Sequence, residues 1–170
     1  ATITNSTIKF NQIKVLRTAI KDINTSEGFI NLWEIQLFVN GNNIAPLGKA
    51  NSNSILRSLD FPSYYTHDNI NNNILSDSNP NYNMYHSDLS GVGEFVSITL
   101  DNDYSVEDIE SLVIYNRRTA ENVRLVGCSA QILYNDQVLF TEEISSPFNY
   151  YRFDGPAISN VNTFASTDSS

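Results

Sequence analysis

Glu110–Leu125 reads ESLVIYNRRTAENVRL. Leu112 and Ile114 alternate with Val113 and Tyr115, the period of a β-strand, and run directly into Asn116, Arg117 and Arg118. A short polar loop follows, and Arg124-Leu125 is expected to open a second strand. Strand, arginine, loop, arginine, strand sets two guanidinium groups at the rim of a sheet. Each offers a planar fork of donors that suits a sugar hydroxyl or a carboxylate.

The same alternation recurs on both sides of this stretch. Lys14–Ile23, Ile30–Val39, Glu94–Leu100, Leu112–Arg117, Leu125–Tyr134 and Gln137–Glu143 are rich in β-branched and aromatic residues. Trp33, Ile35, Leu37 and Val39 are expected on one face of their strand, with Glu34 and Gln36 on the other. Val126, Cys128, Ala130 and Ile132 form a second apolar face, and Asn40-Gly41 and Asn135-Asp136 read as tight turns. No window sustains the spacing of three and four that a helix needs. The expectation is an all-β antiparallel sandwich of about eight main strands.

Two segments stand apart. Asn51–Ser90 is long and crowded with Asn, Ser, Tyr and His; a connection of that length in a compact domain is usually functional or floppy, and the aromatics favour function. Ala157–Ser170 drifts into Ser, Thr and Asn like a linker. The expected division is therefore a domain over 1–156 and a tail over 157–170, belonging to a longer multidomain protein. The chain opens on Ala1 without Met, as a mature form or an excised piece would.

A length of 170 residues suits one domain with a real core, and 41% apolar residues fit a globular chain. The formal net charge of −9 argues against nucleic acid and disfavours anionic membrane lipid. With Cys128 as the single cysteine, an internal disulfide and a cysteine-based zinc site are both excluded, and its strand context reads as a small buried hydrophobe. No apolar run is long enough to cross a bilayer, and no signal-peptide pattern precedes the first strand. Asn5-Ser6-Thr7 and Asn24-Thr25-Ser26 match the glycosylation sequon, which arises easily by chance in an Asn-rich chain.

Three blocks, in order, carry a family likeness: Asn43-Ile44-Ala45 with Gly48-Lys49-Ala50; Ile74–Asn79 with Tyr85-His86-Ser87; and Leu112–Arg117 with Arg124-Leu125. Together they resemble the discoidin-like (coagulation factor type C) modules, which are jelly-roll, galactose-binding-domain-like sandwiches. Leu32–Phe38, LWEIQLF, is similar to the strand that usually closes those modules, yet here it comes first. The likeness therefore implies a circular permutation, tolerated where termini lie close together.

The resemblance further implies one structural calcium ion. Asp77 and Glu34 would supply carboxylates, with the carbonyls of Ile74, Asn79 and Trp33 and the hydroxyl or carbonyl of Ser87, a hard oxygen set suited to that ion. Ser78 stands where the family has glycine. The plainer reading is that Asp77, Asn79 and Asn81 form Asx turns and Glu34 lies on a solvated strand face.

Among such relatives, the fucose-binding F-type lectins use a histidine and two arginines, and Arg117 and Arg124 have the spacing of that arginine pair. Thr119 replaces the family's aspartate and Ser90 stands near the place of its histidine, so fucose itself is not implied. A sugar also needs an aromatic platform, for which Tyr64, Tyr65, His67, Tyr82 and Tyr85 are candidates. Tyr85 and His86 read as structural, Trp33 as core, and Arg118 as a further rim residue.

The expected function is that of a lectin-like, non-catalytic carbohydrate-binding module. It would contact glycans on a cell or virion surface through Asn51–Asn69, Tyr85–Gly93 and Arg117–Arg124, in an extracellular or virion-surface setting of adhesion or viral attachment. The alternative is a protein-interaction or virion structural domain. Membrane insertion through Leu56, Leu59 and Phe61 is disfavoured by the acidic balance. No enzyme is expected: only His67 and His86 are available, and neither stands in a triad or metal motif.

Overall fold

A computed structural model describes residues 8–21, 28–57, 64–75, 83–118 and 120–160. Among the described residues ten strands form: β1 (Lys9–Arg17), β2 (Asn31–Val39), β3 (Asn42–Asn43), β4 (Lys49–Ser52), β5 (Tyr85–His86), β6 (Phe95–Ser105), β7 (Ile109–Asn116), β8 (Cys128–Tyr134), β9 (Gln137–Glu143) and β10 (Tyr150–Asp154). β3 and β5 are two residues each, which leaves eight longer strands, the number expected, although β4 and β10 were not among the segments read from the sequence. One sheet runs β4-β6-β1-β8-β9 and the other β10-β7-β2-β3, with β5 also on β2; every pairing is antiparallel. The protein is an all-β sandwich.

Period two builds the core. Ile13 and Val15 of β1, Ile35 and Leu37 of β2, Leu112 and Ile114 of β7, and Ala130 and Ile132 of β8 all lose their whole surface to the space between the sheets. Asn40-Gly41 and Asn135 with Asp136 take positive φ at both positions, the turn whose twist matches its flanking strands.

Several expectations need correction. β1 ends at Arg17, well short of Ile23, because the amides of Thr18 and Ala19 both donate to the Gly127 carbonyl (3.1 and 2.9 Å) instead of continuing the ladder. Residue 127 must be glycine here: its φ is +94° and a Cβ would lie 2.4 Å from the Ala19 carbonyl oxygen. Arg124-Leu125 does not open a strand. It closes the 3-10 turn Ala120–Leu125, and β8 starts only at Cys128, past Gly127.

A bulge at Trp33 breaks the alternation in β2, so that Leu32, not Trp33, shares the core face with Ile35 and Leu37. Trp33 is buried outside the central cluster. Glu34 and Gln36 are not solvated but buried, and the 3-10 turn His67–Asn71 packs against β2. At the other end the fold runs past 156. A helical turn covers 155–160 and buries Ile158 in the core, so the described part of the expected tail belongs to the domain.

Two polar residues close the core at one end. Arg17 and Asn116 are the last residues of β1 and β7, and both are fully buried. Arg17 donates to the carbonyls of Val126 (2.7 Å), Phe29 (3.0 Å), Ala19 (3.4 Å) and Arg124. Asn116 donates to those of Asn122 (2.7 Å) and Phe148 (3.0 Å). They convert two strand ends into a rigid mount for the loops above.

Candidate functional site

The mounted loops bring together groups far apart in the chain. Arg117 leaves the end of β7, its amide bonded to the Asn116 side-chain oxygen at 2.8 Å. Arg124 leaves the 3-10 turn, whose backbone Arg17 grips from below. Both guanidinium groups point at one buried atom, Asn31 Oδ1, Arg117 Nη1 at 3.4 Å and Arg124 Nη1 by a shorter bond. Asn31 is held for this by its own Nδ2, which donates to the Tyr85 carbonyl at 3.1 Å.

His86 completes the cluster. Nδ1–H donates to the Ser87 carbonyl at 2.7 Å, so Nε2 carries the lone pair and accepts from Arg124 Nη1 at 3.1 Å. Arginine has no acceptor, which assigns that neutral tautomer. Burial, opposed by the Ser87 bond and reinforced by Arg124 and Arg117, pushes the His86 pKa down to about 4. Burial and then Arg117 also lower the pKa of Arg124, which stays charged at any ordinary pH.

Aromatic rings wall the cluster. Arg124 lies over Phe29 at 5.6 Å, Phe29 packs on His86 at 5.6 Å, and Tyr65 meets His86 edge-on at 5.6 Å, with Tyr64 edge-on to Tyr65. Arg117 Nε forms an ion pair with Glu121 at 3.8 Å. That Nε is buried and makes no hydrogen bond among the described residues. Two cations, a neutral imidazole acceptor, an amide and half-buried rings converge at one end of the sandwich. Such a surface can bond several hydroxyls at once while a ring face packs on Phe29 or Tyr65.

Of the residues expected from the sequence, Arg117, Arg124, Tyr64 and Tyr65 therefore meet in one place. Arg118 is exposed beside them. His67 does not join them: its Nδ1 bonds Ser52 Oγ at 2.8 Å, and its turn packs on β2 and β4. Ser90 is exposed, and among the described residues no bond from it to either guanidinium is found. The histidine comes instead from His86, read from the sequence as structural, and Asn31 and Phe29 drew no attention there. Tyr85 is fully buried, its hydroxyl donating to the Ser54 carbonyl at 2.7 Å, as a structural residue would be.

The expected cation site is only partly in view, because Asp77 and Asn79 lie outside the described residues, as do Asn81, Tyr82, Thr119, Leu59, Phe61 and both sequons. Glu34 is described and fits a cation. It is fully buried, Oε2 accepts from the Asn73 amide at 2.8 Å, and Oε1 has no partner among the described residues. Burial pushes its pKa up to about 8 against the Asn73 bond. Ile74, the residue after Asn73, is exposed, and its carbonyl accepts from Asn83 at 3.2 Å. Ser87 is already engaged: its hydroxyl accepts from the Ile30 amide (2.9 Å) and donates to the Leu89 carbonyl (2.8 Å), and its carbonyl accepts from His86, keeping a second lone pair. Among the described residues no three His, Cys, Asp or Glu side chains gather to hold a metal.

Comparison of the chain with protein-family models, with curated proteins and with solved structures finds no match. Among the described residues no helix is long and apolar enough to cross a membrane.

Proposed function

We propose that this protein is a non-catalytic, lectin-like carbohydrate-binding module whose glycan site is the Arg117–Arg124–His86 cluster. One observation carries the reading: both guanidinium groups and the His86 imidazole converge around Asn31 between the Phe29 and Tyr65 rings. Donors in the form of planar forks, one imidazole nitrogen and a ring wall match the alternating polar and C–H surfaces of a pyranose. A hydroxyl, or an acidic sugar's carboxylate, would compete for the donors that Asn31 and His86 now receive.

A structural calcium ion goes with this reading. Glu34 Oε1 is buried without a partner among the described residues, and Asp77 and Asn79, with the Trp33 and Ile74 carbonyls, would add the neutral and anionic oxygens that the ion requires. The setting that follows is an extracellular or virion surface, with attachment to glycans as the task.

The second reading, a protein-interaction or virion structural domain, draws on the exposed Leu89 and Val92, which stand on the loop after His86. A glycan array with and without calcium separates the two. The lectin reading expects binding to a defined set of glycans, lost in Arg124→Ala while the fold is kept; an array without a single bound glycan overturns it.

A further inference from the structure

A groove of about 340 Å³ opens along the side of the sandwich, where the edge strands β9 and β10 face each other. Tyr151 and Phe153 are its buried floor, Glu142 and Arg152 its rims, and Phe148 and Tyr150 stand on its end. Phe148 is 62% exposed and Tyr150 58%. Neither ring belongs to the core cluster, though Phe148 lies against Tyr151 and Tyr150 against Tyr115, each at 6.2 Å, and the backbone that presents them is pinned at five points. The Asn116 side chain and amide bond the carbonyls of Phe148 (3.0 Å) and Asn149 (2.8 Å), and Asn122 bonds that of Pro147 (3.2 Å). The Tyr151 hydroxyl accepts from the Phe148 amide (3.1 Å) and donates to the Ser146 carbonyl (2.5 Å). Water-facing rings on a fixed backbone are prepaid binding surface, since little further order is lost when a partner arrives.

The occupant can be argued from charge and from the strand edges. Arg152 pairs with Asp154 and Glu143 with Lys21, each at 3.0 Å, so the rim offers polar forks without a strong net charge. Charged side chains on both edges, Glu142 and Glu143 on β9 and Arg152 and Asp154 on β10, oppose addition of a foreign strand. Paired rim charges beside two exposed rings suit a neutral polyhydroxyl ligand with apolar ring faces.

We propose that this groove is a second carbohydrate subsite, stacking a pyranose on Phe148 and Tyr150 and bonding its hydroxyls to Glu142 and Arg152. It deepens the proposed function and rests on it for continuity. Asn116 and Asn122 tie the Pro147–Asn149 stretch to the same turn that carries Arg124, so one glycan chain would run from the arginine cluster into the groove.

The test is a glycan array of mono- to hexasaccharides probed with wild type, Phe148→Ala/Tyr150→Ala and Arg124→Ala, each checked for an unchanged melting temperature. The expected result is that the aromatic double variant loses about tenfold in affinity, one decade being the worth of a modest stacking contact, for glycans of three or more units. It keeps monosaccharide binding, whereas Arg124→Ala loses both. If Arg124→Ala still binds long glycans and the aromatic variant does not, the groove stands and the arginine reading fails. If the aromatic variant binds every length as wild type does, or binds only proteins, the groove proposal is overturned.

Discussion

Acidification should unlock the cluster through His86. Its pKa falls from an ordinary 6.5 to about 4 in the folded protein, so between those values the unfolded chain binds the extra proton. Stability contributed by the neutral ring is complete above pH 6.5, drains away as pH falls towards 4, and changes no further below that. The full difference is about 3 kcal/mol at 1.36 kcal/mol per unit, and about 2 kcal/mol of it is gone at pH 5. Carboxylates titrate in the same window, so the assay is urea unfolding from pH 7.5 to 5 in wild type and His86→Asn side by side. Asparagine keeps a donor near the Ser87 carbonyl but has no imidazole to charge. Wild type should lose about 2 kcal/mol more than the variant over that interval, a further fall in Tm of about 4–8 °C. A direct check is the His86 ring proton signal, with a midpoint near 4. A midpoint at 6 or above, or equal slopes in both proteins, would refute the bond between Nε2 and Arg124.

Other consequences can be checked on the same protein. Arg17→Met should cost about 3 kcal/mol, because removing a charged donor set leaves the buried carbonyls of Val126, Phe29, Ala19 and Arg124 short of partners, and amide exchange at 28–30 and 123–127 should quicken even where the rest is protected. Gly155→Ala should lower stability by about 2 kcal/mol or more, since the new Cβ would sit 1.9 Å from the Ile109 carbonyl oxygen. Calcium at about one hundred times its dissociation constant should add about 2.7 kcal/mol to unfolding, and Glu34→Gln should abolish that gain; a wild-type melting temperature indifferent to calcium would remove the ion from the account.

How much of this was legible beforehand differs between fold and site. Strand period, the Asn-Gly and Asn-Asp turns and the missing helix signal were enough for an antiparallel sandwich, because those patterns are local. The Trp33 bulge was not legible, since a bulge is set by the partner strand, and Asn116 and Tyr115 come into register with β2 only in three dimensions. Burial of Glu34 was hidden for a like reason: its cover comes from a connection with no strand pattern. At the site, Arg117 and Arg124 were visible as a spaced pair, and Tyr65 as a candidate platform. Arg17 was not, because a lone arginine ending a strand looks like any surface residue, although it falls in phase with the inward Ile13 and Val15. His86 carried two roles at once. Its bond to Ser87 gives the structural context that the sequence suggested, and its other nitrogen faces a residue 38 positions away.

The most direct measurement follows the Nε–H resonances of Arg117 and Arg124 while the best glycan from the array is titrated into the protein. The account predicts that both signals shift along one binding curve, together with the His86 ring protons. A glycan that binds and leaves both arginines unmoved would contradict it.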